Sequence, residues 1–186
     1  VFVFDQSYAS FSPKEVLSAR EALSLGNVIL VQSLTKSFAI PGLRLGYLVS
    51  NATTLEGIRA LSHPWSVNTL AIEAGKWLLR NQALYEGIEA QLLKSSRTLR
   101  AKLSSFPWLS IVPTDTHFFI FHFEVSGATS ADLKEWLARE RGILVRDATN
   151  MGALGSACIR VASQGEEADQ ALVDALRDWY QQQSSK

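Results

Sequence analysis

The feature that most constrains the fold is the alternation of apolar runs with a helical segment near the start of the chain. Residues 1–4 (VFVF) form a continuous apolar run, and residues 27–34 (NVILVQSL) contain the apolar run VILV. Both are typical of strands buried on both faces of a parallel sheet. Between them, SPKEVLSAREALSL predicts a helix that begins at Ser12 as N-cap, with Pro13 in its first turn, and ends at Gly26. A third strand is predicted in GLRLGYLVS. Strand, helix and strand in this order predict an α/β fold.

The remainder of the chain predicts a helical region followed by a second α+β layer. Residues 66–104 have apolar positions at helical spacing, with a joint near Asn81. The runs THFFIFHFEV, GILVRDA and ACIRVAS predict strands, and SADLKEWLARER predicts a helix from Ser130 as N-cap to Gly142. We therefore expect a partial large domain at 1–62, a connecting helical region at 63–105 and a small α+β domain at 106–186. Since three short strands make a small sheet, the large domain is expected to be incomplete.

Composition excludes several classes of protein. Eighteen Lys and Arg residues balance eighteen Asp and Glu residues, so the chain lacks the basic surface expected for nucleic acid or anionic membranes. No apolar run reaches the roughly 18 residues of a membrane span. A single cysteine and three scattered histidines predict neither a disulfide nor a metal site. These observations favour a soluble globular protein.

The segment LVQSLTKSFAIPGLRLGYLVS contains the residues with the clearest chemical meaning. Lys36 follows a predicted buried strand, where an unpaired ammonium group is costly. A desolvated lysine has a lowered pKa and can act as a nucleophile toward an aldehyde. Ser33 and Thr35 offer hydroxyl groups, and Arg44 offers a guanidinium group suited to phosphate. The combination indicates a site for an aldehyde that carries a phosphate.

Pyridoxal phosphate is such a compound, and its ring nitrogen needs a carboxylate partner. Asp5 ends the first predicted strand, and ligands of open α/β sheets bind at the carboxyl ends of the strands. Tyr8 follows three residues later and could donate a hydrogen bond to the ring hydroxyl.

With these residues in place, DQSY, SLTK and GLRLGY together resemble the fold-type I pyridoxal-phosphate enzymes of the class I and II aminotransferase family. The resemblance implies that Lys36 carries the cofactor and is catalytic, that Asp5 pairs with the ring nitrogen and that Tyr8 contacts the ring hydroxyl. It also implies a homodimer in the cytoplasm. The implied fold is the C-terminal part of a large domain with a parallel-rich sheet, followed by a small α+β domain.

The same resemblance assigns the anion-binding residues. It implies that Ser33 and Arg44 bind the cofactor phosphate and that Thr35 assists them. In the second half, GILVRD and CIRVA contain Arg146 and Arg160. By resemblance, Arg160 binds the α-carboxylate of an amino-acid substrate, and Arg146 reaches the distal group of that substrate.

Within the family, SLTKSFAIPGLRLGYLV and HPWSVNTLA most resemble the threonine-phosphate decarboxylases of the cobalamin pathway, with the histidinol-phosphate aminotransferases as the alternative. A small, possibly phosphorylated amino acid is therefore the expected substrate. Gln6, Ser7, His117 and Gln164 depart from the family pattern, and the last two lie near the expected substrate position. An inactive fragment or a binding module that retains the second half of the fold stays open as a further alternative.

Overall fold

The computed structural model describes residues 1–151 and 154–184, which divide into two compact units, Val1–Glu89 and Ala90–Lys186. The strands are β1 (Phe2–Asp5), β2 (Val28–Ser33), β3 (Gly46–Val49), β4 (Leu109–Ile111), β5 (Phe118–Phe123), β6 (Arg146–Asp147) and β7 (Cys158–Ala162). The helices are α1 (Ala19–Leu25), α2 (Leu34–Ser37), α3 (Ala52–Leu61), α4 (Thr69–Arg80), α5 (Ile88–Leu103), α6 (Ser130–Arg141) and α7 (Glu166–Ser184).

The first unit is built on a sheet with the strand order β1-β2-β3. β1 and β2 are parallel, as predicted, whereas β3 returns antiparallel to β2. Helix α1 packs on this sheet through a small core of Ala22, Val28 and Leu30. Because β1 and β2 run in the same direction, their carboxyl ends lie side by side, and Asp5 is in register with Val31. The carboxyl ends of β1 and β2, which the sequence predicts to be functional, therefore lie next to each other.

Two predictions for the first unit are wrong in detail. β1 was expected to be buried, but each of its residues is exposed, with Phe2 at 62% and Val3 at 63%. Among the described residues, β2 is the one strand paired with β1. Helix α1 begins at Ala19 rather than after Ser12, because Ser18 and Glu21 form a reciprocal capping box. Its end at Gly26, in the left-handed region, is as predicted.

The second unit has an antiparallel sheet in the order β4-β5-β7-β6, packed with α5, α6 and α7 around one apolar core. Trp179, Phe119 and Phe121 are the largest of its fully buried side chains. Helix α6 is capped by Thr129, one residue before the predicted Ser130, and it ends at Gly142 as predicted. The strand predicted in GILVRDA is limited to the two residues of β6. Within residues 1–151 and 154–184, no helix is both long and apolar enough to cross a membrane.

Candidate active site

The carboxylate of Asp5 lies at the carboxyl end of β1 and is held by the residue two positions later. The backbone N–H of Ser7 donates to Oδ1 at 2.9 Å, and the Ser7 hydroxyl donates to the same oxygen at 2.5 Å. These two hydrogen bonds hold the pKa of Asp5 below its ordinary value, with the hydroxyl contributing most. Asp5 is therefore a fixed negative charge at neutral pH, as a partner for a protonated ring nitrogen must be.

Lys36 lies in the short helix α2 immediately after β2, and its Nζ is 5.6 Å from the centroid of the Tyr8 ring. Tyr8 precedes a short 3₁₀ helix (Ala9–Phe11). A hydrogen bond of 3.1 Å between the hydroxyls of Ser10 and Ser37 joins the two segments. The Lys36 side chain is exposed in this chain, whereas the sequence favoured a desolvated lysine. An exposed amine beside an aromatic ring is nevertheless accessible to an aldehyde.

The predicted phosphate ligands lie around one closed loop, residues 34–45. The loop is closed at its base by the Leu34 backbone N–H, which donates to the carbonyl of Leu45 at 3.2 Å. At one end of the loop the hydroxyls of Ser33 and Thr35 are 2.8 Å apart. At the other end Arg44 adopts a left-handed conformation (φ 53°, ψ 53°). Two hydroxyls and one guanidinium group thus lie at the two ends of the same loop.

Toward the part of the chain that the structure describes, Arg44 makes one hydrogen bond and so retains most of its hydrogen-bonding capacity. Its Nη1 donates to the carbonyl of Pro41 at 2.8 Å, and a guanidinium group has five N–H donors. The side chain is exposed. The bond to Pro41 orients the guanidinium group while its other donors stay available to an anion.

Two residues that the sequence marked only as departures prove to support the site. Ser7 orients Asp5, and the Gln6 amide bridges the sheet: it accepts from Gln32 Nε2 at 2.6 Å and donates to the Leu17 carbonyl at 2.8 Å. The spacing Asp5-x-Ser7 is a signal for such a turn, since an Asp side chain often accepts a hydrogen bond from the backbone two residues on. The Gln6–Gln32 pair has no comparable signal, because it depends on the strand register.

In the second unit, Arg146 and Arg160 are directly opposite each other on β6 and β7. The Arg160 guanidinium carbon lies 4.1 Å from the centroid of the Phe118 ring. Like charges opposite each other on neighbouring strands destabilise a sheet. An anion bound between the two arginines would remove that repulsion, so the pair is suited to a negatively charged ligand.

The residues of the first unit fit pyridoxal phosphate in chemical type. Asp5 is an ionised carboxylate for the ring nitrogen, and Lys36 is an accessible amine for the aldehyde. Ser33, Thr35 and Arg44 provide two hydroxyls and a guanidinium group for the phosphate. These chemical types match the ring nitrogen, the aldehyde and the phosphate of the cofactor.

Comparison with known proteins identifies the family of this chain. Residues 1–176 match the family model for aminotransferase class I and II. The chain is 30% identical over 176 residues to histidinol-phosphate aminotransferase 2 of Archaeoglobus fulgidus, covering 95% of the chain and 49% of that protein. It is 31% identical over 177 residues to the threonine-phosphate decarboxylase of Salmonella typhimurium, covering 95% of the chain and 48% of that protein.

Solved structures show the same fold. The L-threonine-O-3-phosphate decarboxylase from Porphyromonas gingivalis superimposes with a TM-score of 0.91 at 32% identity, over 97% of this chain and 55% of that chain. The histidinol-phosphate aminotransferase from Sinorhizobium meliloti, solved with pyridoxal-5'-phosphate, has a TM-score of 0.79 at 19% identity and shows the fold alone. The chain spans about half the length of the curated relatives it matches.

Proposed function

We propose, because this chain belongs to the class I and II aminotransferase family of pyridoxal-phosphate enzymes, that Lys36 is the lysine that carries the cofactor. The observation that supports this most directly is the position of Lys36 in the first unit. It follows the carboxyl end of β2, next to the carboxyl end of β1 where Asp5 lies. Its Nζ is 5.6 Å from the centroid of the Tyr8 ring. When bound, the cofactor withdraws electrons from the α-carbon of an amino acid.

The other residues of the first unit are proposed to bind and orient the cofactor. Asp5 keeps the ring nitrogen protonated, because its carboxylate stays ionised through its bonds to Ser7. Ser33, Thr35 and Arg44 bind the phosphate. Arg44 supplies the positive charge, and the hydroxyls reorient from each other toward the phosphate oxygens. Tyr8 donates a hydrogen bond to the ring hydroxyl.

We propose that Arg160 binds the α-carboxylate of the substrate and that Arg146 binds a distal anionic group. The two arginines are opposite each other in the register of β6 and β7, and this supports a substrate that bears two negative charges. A phosphorylated amino acid has this property. We further propose that the enzyme is a homodimer located in the cytoplasm.

For the reaction itself, we propose decarboxylation of threonine phosphate, with amino transfer involving histidinol phosphate as the alternative. The relatives include both activities at almost the same identity, 31% and 30%. The superposition at a TM-score of 0.91, on a decarboxylase at 32% identity, supports the first. In the aminotransferase reaction Lys36 must also move the α-proton, whereas in decarboxylation it need not remove that proton.

Trapping of the cofactor tests the role of Lys36. Pyridoxal phosphate is added to the purified protein, the adduct is reduced with borohydride, and the labelled peptide is identified by mass spectrometry. We expect the label on the Lys36 peptide, its loss in Lys36→Ala and no loss in the control Lys76→Ala. Lys76 is an exposed lysine of α4 that pairs with Glu73 at 2.6 Å. Labelling spread over many lysines would contradict the proposed site and favour a binding module or an inactive fragment.

A second assay separates the two reactions. Release of carbon dioxide from threonine phosphate is measured alongside formation of an amino acid from a 2-oxo acid with histidinol phosphate as donor. Carbon dioxide release that is lost in Lys36→Ala supports the decarboxylase. Amino transfer without carbon dioxide release would show that the aminotransferase is the correct alternative.

A further inference from the structure

We propose that Arg100, on helix α5, is a positioning residue that fixes the guanidinium group of Arg160 through the loop between β4 and β5. The proposal rests on the proposed function for the meaning of Arg160 as a carboxylate ligand. The structural link itself lies wholly within the second unit and can be tested separately.

The first link joins α5 to the loop. Arg100 Nη1 donates to the carbonyl of Thr114 at 2.9 Å, and this bond is partly buried. The neighbouring Leu99 and Leu103 are fully buried in the core, so the helix is a rigid support. Within residues 1–151 and 154–184, Arg100 Nε is buried and has no hydrogen-bond partner. Arg100 is therefore a partly desolvated cation, and its hydrogen bond to the Thr114 carbonyl offsets part of the cost of that burial.

The second link runs along the loop. The backbone N–H of Thr116 donates to Thr114 Oγ1 at 3.2 Å, and the two hydroxyls are 3.1 Å apart. Thr116 Oγ1 then donates to the carbonyl of Phe118 at 3.0 Å. The loop is closed where the Val112 N–H donates to the Ile120 carbonyl at 2.9 Å. A shift of the Thr114 carbonyl is thus transmitted to the first residue of β5.

The third link joins Phe118 to Arg160. The Phe118 ring lies 4.1 Å from the guanidinium carbon of Arg160, within the range of a cation–π contact. Arg160 is also directly opposite Arg146 in the register of β6 and β7, and like charges at such positions repel each other. The ring of Phe118 holds Arg160 against this repulsion, so a displaced ring would release it. Arg100 and the threonine pair determine where that ring sits.

His117 provides a reporter of this arrangement. Its ring is perpendicular to that of Phe118, with centroids 5.3 Å apart. Burial, and secondly the positive charge of Arg160, lower the pKa of His117 below its ordinary value. When Arg160 moves away, the pKa of His117 must rise.

The first experiment measures these signals by NMR without substrate. In Arg100→Gln we expect Arg160 side-chain protons to lose the upfield shift that the Phe118 ring current gives them. The pKa of His117 should rise toward its ordinary value. Arg100→Lys should restore both signals in part, because an ammonium group can still donate to one carbonyl. The control is Arg97→Gln, one helical turn earlier on the same groove of about 310 Å³; it should change neither signal.

Thr116→Val serves as a second variant, because it cuts the link beyond Arg100 and leaves the charge in place. It should move the Arg160 and His117 signals in the same direction as Arg100→Gln. If a folded Arg100→Gln or Thr116→Val leaves both signals unchanged, the positioning role is wrong. Equal changes in the Arg97→Gln control would show a general effect of charge and would also overturn it.

The functional readout distinguishes this inference from the proposed function. With the holoenzyme, Arg100→Gln should raise the substrate KM by about tenfold with little change in kcat, the size expected for one weakened charge-assisted hydrogen bond. Arg160→Gln should raise KM at least as much. If Arg160→Gln has no effect on KM while the NMR signals shift as expected, the carboxylate role of Arg160 fails and the positioning link stands. If Arg160→Gln raises KM and Arg100→Gln does not, the positioning role of Arg100 is wrong and the carboxylate role of Arg160 stands.

Discussion

Replacing Gly46 with alanine should damage the proposed phosphate site through the backbone. Gly46 pairs with Ser33 across β2 and β3, and a Cβ added at Gly46 would lie 2.6 Å from the Gln32 carbonyl oxygen. Carbon and carbonyl oxygen normally approach to about 3.3 Å, so the strands must separate by roughly 0.7 Å. Backbone atoms cannot rotate aside, and overpacking of this kind costs about 1–3 kcal/mol. The alanine variant also gains about 0.4–1 kcal/mol of stability, because its unfolded chain is less flexible. We therefore expect the free energy of unfolding to fall by about 1–2 kcal/mol in total.

Urea unfolding followed by circular dichroism measures this loss, and borohydride trapping measures the effect on the Lys36 site. The control is Gly57→Ala in helix α3, where an added Cβ meets nothing within 4 Å. That variant should be more stable by about 0.5–1 kcal/mol, because glycine is unfavourable inside a helix. The reasoning is refuted if Gly46→Ala matches the wild type in unfolding free energy and in cofactor labelling.

Three further changes test individual contacts. Ser130→Ala should destabilise the protein by about 1–3 kcal/mol in urea unfolding, because the buried Ser130 hydroxyl accepts from the Cys158 N–H at 2.6 Å and the alanine variant leaves that donor unsatisfied. Ser96→Ala should stabilise the protein by about 1 kcal/mol in the same assay, because the fully buried Ser96 hydroxyl has no partner among the described residues. Arg44→Gly should raise the unfolding temperature and weaken binding of pyridoxal phosphate, measured by titration of its absorption band.

Local signals in the sequence predicted several elements correctly. The ends of α1 and α6 follow from Gly26 and Gly142, which both adopt the left-handed conformation that glycine allows. The parallel pairing of β1 and β2 follows from a helical segment between two apolar runs. These features depend on a few neighbouring residues, so one sequence is enough to predict them.

Features that depend on register or on competing local bonds could not be predicted. Helix α1 starts after Ser18, whose N–H donates to the Glu21 carboxylate, although Ser12 and Glu15 have the same Ser-x-x-Glu spacing and the sequence alone does not choose between the two caps. The contact between Arg160 and Phe118 depends on the pairing of β5 with β7, which no local pattern reveals. The exposure of β1 was also missed, because an apolar run does not by itself show what packs on the two faces of a strand.

The conformation of Arg44 argues for its function independently of any family resemblance. In this segment the left-handed backbone conformations fall on Ala39 and Arg44 and not on a glycine. A non-glycine residue in that region costs about 1–2 kcal/mol. Glycine at position 44 would remove the strain, so folding stability alone does not account for an arginine there. In this conformation Arg44 Nη1 donates to the Pro41 carbonyl at 2.8 Å, and Arg44 lies at the opposite end of the loop from Thr35. A stability gain and a binding loss from the same Arg44→Gly substitution would show that the strain is retained for binding an anion.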